Sequence, residues 1–209
     1  MKWDSEHFDE WAGEYDESIE PFVNKFPFIG YYETLAMVQK LSQPVDGLKV
    51  LDVGIGTGLL SAELAKAGGA VYGVDFSEKM LLKASGRIPG AKLARVDIAR
   101  DHLGEFNGEK FDRIVSSYVF HHFDLKQKVA FFTRAIADNL SEGGRIIIGD
   151  IGFETLAAHE AAKEKWEEQW DFDEYYTQAD EVVAALRDVG LEFSYSQISD
   201  CSGVLVYKG

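Results

Sequence analysis

An apolar run over residues 48–53 is followed by glycines at alternate positions, Gly54, Gly56 and Gly58, and then by Leu59-Leu60-Ser61-Ala62-Glu63-Leu64-Ala65-Lys66-Ala67. No other stretch constrains the fold as much. The apolar run reads as a buried strand and the segment after Gly58 as a helix. Glycine lacks Cβ and tolerates φ > 0, so the backbone between the two can approach a ligand closely. The first N–H groups of a helix have no intrahelical partner and can meet a polar or anionic group. Strand, glycine turn and helix together open a nucleotide-binding βαβ unit.

The chain before this unit is helical in pattern. Residues 5–20 carry Phe8, Trp11, Tyr15 and Ile19 on one face, and Pro21 ends the pattern. A second helix is expected over 28–41, with Tyr31, Leu35, Val38 and Leu41 at helical spacing. After the unit, strands are expected over 70–75, 92–97, 111–118 and 145–151, and helices over 78–86 and 125–140, with Ser77 as an N-cap. Alternation of this kind argues a parallel sheet covered on both faces. The rhythm breaks at 153–176, which holds Trp166, Trp170, Phe172, Tyr175 and Tyr176 and is too long for a simple connection. A helix over 180–189 and strands over 191–199 and 204–207, joined as a hairpin, close the chain.

Composition narrows the function. The 209 residues carry a formal net charge of −15, with the acidic excess at 4–20 and 154–181 and no basic patch, which disfavours a nucleic-acid partner. The single cysteine, Cys201, rules out an intramolecular disulfide or a cysteine-rich metal site, and no metal is expected. Neither a signal peptide nor a membrane-spanning run is present, so a soluble, cytoplasmic protein without membrane partners is expected.

The glycines depart from the dinucleotide fingerprint Gly-x-Gly-x-x-Gly, because the third position holds Leu59 and the glycine sits at Gly58. That counts against a pyrophosphate cradle and against a nicotinamide-dependent oxidoreductase. Strand two ends in Asp75, where a carboxylate can accept both hydroxyls of a ribose. Strand three ends in Asp97-Ile98, an acid and an aliphatic side chain suited to the amino edge and the face of an adenine. One such aspartate alone would read equally well as a helix cap. Three strand ends in register make a ligand site the better reading.

With these residues the sequence resembles the class I S-adenosylmethionine-dependent methyltransferases, of small-molecule type. The resemblance rests on residues 50–58, on Val74-Asp75-Phe76-Ser77, Asp97-Ile98, Phe111-Asp112-Arg113-Ile114-Val115-Ser116, Phe120-His121-His122-Phe123 and Asn139-Leu140-Ser141-Glu142-Gly143-Gly144. Trp11-Ala12-Gly13-Glu14-Tyr15-Asp16 is similar to the segment that opens many members. It implies an α/β, Rossmann-like three-layer sandwich with a seven-stranded sheet of order 3-2-1-4-5-7-6, strand seven antiparallel. One methyltransferase domain over 1–209 is then expected: an N-terminal helical cap (1–44), a cofactor-binding core (45–151), an aromatic insert (152–180), and a C-terminal helix and hairpin (181–209).

The resemblance implies S-adenosylmethionine as cofactor, S-adenosylhomocysteine as product and a small-molecule methyl acceptor. Gly54, Gly56 and Gly58 would hold the methionine part, and Asp52 would fix that loop or reach the cofactor's amino group. Asp75 would bind the ribose, Phe76 would flank the adenine, and Asp97 and Ile98 would hold its edge and face. Ser116 and Tyr118 would lie near the sulfonium and the acceptor, and Tyr15 would close over the cofactor. His121 and His122 are the candidate bases, needed only if the nucleophile must lose a proton, with His159 behind them. The insert's aromatic residues either cap the sheet edge or wall the acceptor pocket. No Asn/Asp-Pro-Pro-Tyr sequence follows strand four, where Ser116-Ser117-Tyr118-Val119 stands, which argues against DNA amino-methyltransferases and protein glutamine methyltransferases. A cofactor-binding regulatory module without transferase activity is the alternative.

Overall fold

The computed structural model describes residues 23–209; the helix expected over 5–20, with Tyr15, lies outside the described residues. The first described helix, α1 (Tyr31–Ser42), leads into β1 (Lys49–Val53), α2 (Leu59–Lys66), β2 (Ala70–Asp75), α3 (Glu78–Arg87) and β3 (Lys92–Arg95). A short helix α4 (Ile98–Asp101) precedes β4 (Phe111–Ser117) and a 3-10 turn (Phe120–His122). Then follow α5 (Leu125–Asp138), β5 (Leu140–Phe153), α6 (Leu156–Lys165), the two-residue β6 (Thr177–Gln178), α7 (Ala179–Asp188), β7 (Phe193–Gln197) and β8 (Ser202–Lys208).

The strands order as β3-β2-β1-β4-β5-β8-β7, with β6 beside the end of β5. The first five run parallel, and β8 enters antiparallel between β5 and β7. This is the expected 3-2-1-4-5-7-6 arrangement, with β8 and β7 as its strands seven and six and β6 as an addition.

Side chains alternate across the pleat, which gives the central strands a separate apolar cluster on each face, with a smaller third cluster of Ile55, Val71, Ala84 and Ile88 beside α3. Leu51, Val53, Ile146 and Ile148 face one cluster, shared with Phe131, Phe132 and Ala135 of α5 and Val182 and Leu186 of α7. Val50, Val115 and Ile147 face the other, shared with Leu35 and Val38 of α1 and Leu60 and Leu64 of α2. Helices on both faces explain why the strands read as continuous apolar runs.

Two arginines tie α1 to the sheet. Arg113 of β4 is buried and donates to the carbonyls of Ser42 and Pro44, at 2.8 and 3.2 Å, and Arg145 of β5 donates to Leu41 and Gln43, at 3.1 and 3.2 Å. These guanidinium groups satisfy carbonyls at and just beyond the end of a helix that has no intrahelical donor left for them.

Three elements differ from the sequence expectation. β3 stops at Arg95, because Asp97 turns its carboxylate to the Ala99 N–H (3.0 Å) and caps α4. β5 begins at Leu140, before Gly143-Gly144, pairing Leu140 with Phe111 ahead of a register shift. The insert contains α6, capped by the Thr155 hydroxyl. Of its ten residues only Ala162 is buried, so no apolar periodicity announced it.

Candidate active site

The carboxyl ends of β1 to β4 meet at the glycine loop. Gly54 has φ +71 and sits against Val119, whose Cγ2 an added Cβ would strike. Close packing inside the protein therefore requires that glycine. Gly56 has φ +55 and nothing within 4 Å of the position a Cβ would take. Among the described residues its backbone faces open space, as a surface meant for a ligand would. Gly58, left-handed at φ +81, begins α2.

Asp52 lies beneath this loop, almost wholly buried. Its Oδ2 accepts from the Ser61 hydroxyl at 2.6 Å, while Oδ1 has no hydrogen-bond partner among the described residues. Burial pushes its carboxyl up to about 7; the Ser61 bond opposes this and the nearby Asp75 charge adds to it. Asp75, at the end of β2, accepts from the Gly56 N–H through Oδ2 and from the Ser77 N–H through Oδ1, both at 2.9 Å. It thus joins the loop to the start of α3. The Ser77 hydroxyl caps α3 at Met80, as expected. Phe76 and Ile98 are half-buried at neighbouring strand ends, and Asp97 adds to its capping role an ion pair with Arg100 at 3.2 Å.

At and just past the end of β4 stand Ser116 and Tyr118. Ser116 is wholly buried and its hydroxyl donates to the Val53 carbonyl at 2.6 Å, so it bridges β4 to β1. Tyr118 has φ +56, a sparsely populated region for a side chain of its size. Its ring packs on Tyr31, with centroids 4.7 Å apart, and its buried hydroxyl has no hydrogen-bond partner among the described residues. Burial holds that phenol well above its usual range.

The histidines sit in a buried polar cluster. His121 Nδ1 lies 2.6 Å from Asp150 Oδ1, and its backbone N–H donates to Asp150 Oδ2 at 2.9 Å. Burial pushes the His121 imidazolium down, but the Asp150 and Glu174 carboxylates outweigh it and the net shift is upward. Burial likewise pushes Asp150 up, and His121 and Lys128 reverse it, so that its carboxyl ends below the usual range. His122 goes the other way, lowered to about 3 by burial and by the neighbouring His121, and is a poor base at neutral pH. Lys128, buried and donating to the Tyr175 carbonyl at 2.7 Å, is lowered by burial to about 8. His159 packs edge-on to Phe153 and Trp170, away from this cluster.

The aromatic insert is only partly a wall. Trp166 and Trp170 stack on Phe26 at 4.8 and 5.5 Å, and Tyr176 meets Phe26 and Trp170 edge-on. Phe172 and Tyr175 are exposed and take no part. Sequence reasoning missed Asp150 and Glu174. Asp150 also sits near the carboxyl end of a parallel strand, the criterion that singled out Asp75 and Asp97. Nothing in the spacing of Glu174 pointed to it.

Residues 50–144 match the family described as a methyltransferase domain. An uncharacterized methyltransferase of Geobacillus sp. (strain WCH70) is 30% identical over 204 residues, covering 91% of this chain and 90% of its own. The chain belongs to the class I S-adenosylmethionine-dependent methyltransferases. A second uncharacterized methyltransferase, from Bacillus cytotoxicus, is 31% identical over 205 residues, covering 92% of this chain and 91% of its own. The crystal structure of magnesium protoporphyrin IX methyltransferase from Synechocystis PCC 6803 with bound SAH superposes with a TM-score of 0.71 at 20% identity, over 98% of this chain and 99% of that one. For this methyltransferase that likeness shows the fold. Family membership sets aside the nicotinamide reading. No helix among the described residues is long and apolar enough to cross a membrane.

Proposed function

We propose that this methyltransferase transfers the methyl group of S-adenosylmethionine to a small-molecule acceptor by in-line displacement, leaving S-adenosylhomocysteine. The observation that carries the reading is the pairing, among the described residues, of an open Gly56 backbone with a buried Asp52 oxygen that has no hydrogen-bond partner. A ligand with a compact ammonium and a ribose suits that pair and the neighbouring Asp75. Gly54, Gly56 and Gly58 shape the bed for the methionine part. Asp52 receives the ammonium, and Asp75, at the carboxyl end of β2, accepts from the ribose hydroxyls. Phe76, Asp97 and Ile98 line the adenine side.

The bound cofactor supplies an electrophilic methyl on a sulfonium. The chain's own contribution is alignment and exclusion of water. Tyr118, strained and with an unspent hydroxyl, borders the acceptor space with Tyr31, Phe28 and the Trp166–Trp170 stack on Phe26. Ser116 acts through the backbone of β1, and His121 and His122 stand at the acceptor end. A net charge of −15 and the aromatic enclosure both favour a small organic acceptor over a nucleic acid.

Calorimetric titration of the intact protein with S-adenosylhomocysteine tests the donor site. Binding is expected, with a loss of at least about tenfold in affinity on Asp75→Ala, roughly the worth of a charge-assisted hydrogen bond. Unchanged binding by that variant would remove Asp75 from the site. A panel of small alcohols, phenols, thiols and amines, read by S-adenosylhomocysteine release, tests transfer. Binding without release on any of them favours the regulatory reading.

A further inference from the structure

Away from the glycine loop, three ligand atoms converge where the 3-10 turn after β4 meets the insert. His121 Nε2 and His122 Nδ1 lie 3.9 and 3.7 Å from one oxygen, Glu174 Oε1. One ligand atom from each of the three residues falls within 4.8 Å of the other two. These separations are too long for hydrogen bonds between them. The side chains are 8%, 18% and 11% exposed, shielded from solvent but not sealed from it.

Asp150 decides what His121 presents. With Nδ1 donating to Asp150 Oδ1 at 2.6 Å, the other nitrogen of the neutral ring carries the lone pair, 3.9 Å from Glu174 Oε1. Asp150 is itself held by the N–H groups of His121 and Ile151, at 2.9 and 2.7 Å. A carboxylate orienting an imidazole from behind is the usual support of a metal-binding histidine. The Glu174 side of the cluster is held as firmly. The Tyr175 N–H donates to the His121 carbonyl at 2.7 Å, and Lys128 takes the Tyr175 carbonyl, also at 2.7 Å. A nitrogen lone pair and a carboxylate oxygen facing each other across a poorly solvated gap call for a positive charge between them.

We propose that His121, His122 and Glu174 form a divalent transition-metal site, oriented by Asp150, whose open coordination position receives the heteroatom of the methyl acceptor. The second half of this statement rests on the methyl-transfer reading; the first does not. Metal–ligand distances of about 2.0–2.2 Å would draw the three atoms together by roughly half an ångström to one ångström, within the reach of side-chain rotation. Two imidazoles and one carboxylate select zinc, iron(II) or cobalt(II) over magnesium and calcium, which prefer oxygen ligands. Three protein ligands leave a position open, as in sites that bind substrate. The single cysteine excluded only thiolate sites, so the expectation of no metal did not address this donor set.

The test is titration of chelator-treated, full-length protein with cobalt(II), followed by visible absorption. One equivalent should bind with ligand-field bands of low coordination number, and zinc should displace it. Glu174→Gln and His122→Ala should each weaken binding by about tenfold or more, and Asp150→Asn by about 10–100-fold. All three variants should still bind S-adenosylhomocysteine, which certifies their fold. Cobalt binding that survives both Glu174→Gln and His122→Ala, or no cobalt binding by protein that binds S-adenosylhomocysteine, overturns the site. Stoichiometric cobalt binding by protein that ignores S-adenosylhomocysteine upholds the metal site and removes the methyl-donor reading instead.

Discussion

Asp52→Asn should make this protein more stable near neutral pH and worse at binding its cofactor. In the structure the Asp52 carboxyl is buried, shares one oxygen with Ser61 at 2.6 Å, leaves the other without a hydrogen-bond partner among the described residues, and is pushed up to about 7. The folded state therefore holds this proton in a pH window where the unfolded chain, with an ordinary aspartate near 3.8, has lost it. Stability from this group is complete below the unfolded value, falls as pH rises through the window, and levels off above about 7. A shift of about three units at 1.36 kcal/mol each amounts to about 4 kcal/mol across the window. Asparagine does not ionise, so the stability difference between variant and wild type should swing by about that amount between roughly pH 4 and pH 8. An amide donor left unpaired in place of Oδ1 costs about 1–3 kcal/mol at every pH. The variant should thus be the weaker protein in acid and the stronger one above neutrality. Urea denaturation followed by tryptophan fluorescence across this range measures the swing. A difference that stays constant to within about 1 kcal/mol would refute the argument. Calorimetry adds the functional half. The ammonium of S-adenosylhomocysteine should hold Asp52 ionised, so the wild type releases a proton on binding in mildly acidic buffer. The variant should bind at least about tenfold more weakly without that release. Equal affinity in the two proteins would place the ammonium elsewhere.

The neighbouring glycines should separate packing from binding. Gly56→Ala meets no atom of the described residues and suffers its positive φ, costing about 1 kcal/mol in thermal stability but a larger share of S-adenosylhomocysteine affinity. Gly54→Ala collides with Val119 and should destabilise by more than Gly56→Ala, with partial recovery when Val119→Ala is added. Asn139→Ala should lower unfolding stability by about 2–4 kcal/mol without touching the site, because the buried amide donates to the Phe106 and Glu109 carbonyls and meets His102. Trp170→Ala should cost about 3–5 kcal/mol and raise KM for the acceptor while leaving S-adenosylhomocysteine affinity unchanged; equal loss of both ligands would tie the insert to the whole site.

Much of the fold was legible because local rules govern it. The apolar runs at 48–53, 111–118 and 145–151 announce strands buried on both faces, and the structure divides their side chains between two cores as a period of two requires. Ser77 announced its helix, and the glycines announced the turn. The boundary errors arose where a side chain competes with the backbone. Asp97 ends its strand early by capping α4. Helix α6 stayed hidden because it buries a single residue.

By itself the sequence determined the βαβ opening, the parallel sheet, and the row of acids that suits an adenosyl donor, because each is written within a window of a few residues. The tertiary structure alone decided which side chains meet the histidines. Asp150 reaches His121 across 29 positions, and Glu174 arrives from an insert with no periodic signal. Such meetings depend on how β5 and the insert pack beside the turn after β4. Spacing along the chain encodes which face of an element a residue occupies, but not which distant element will come to lie against that face.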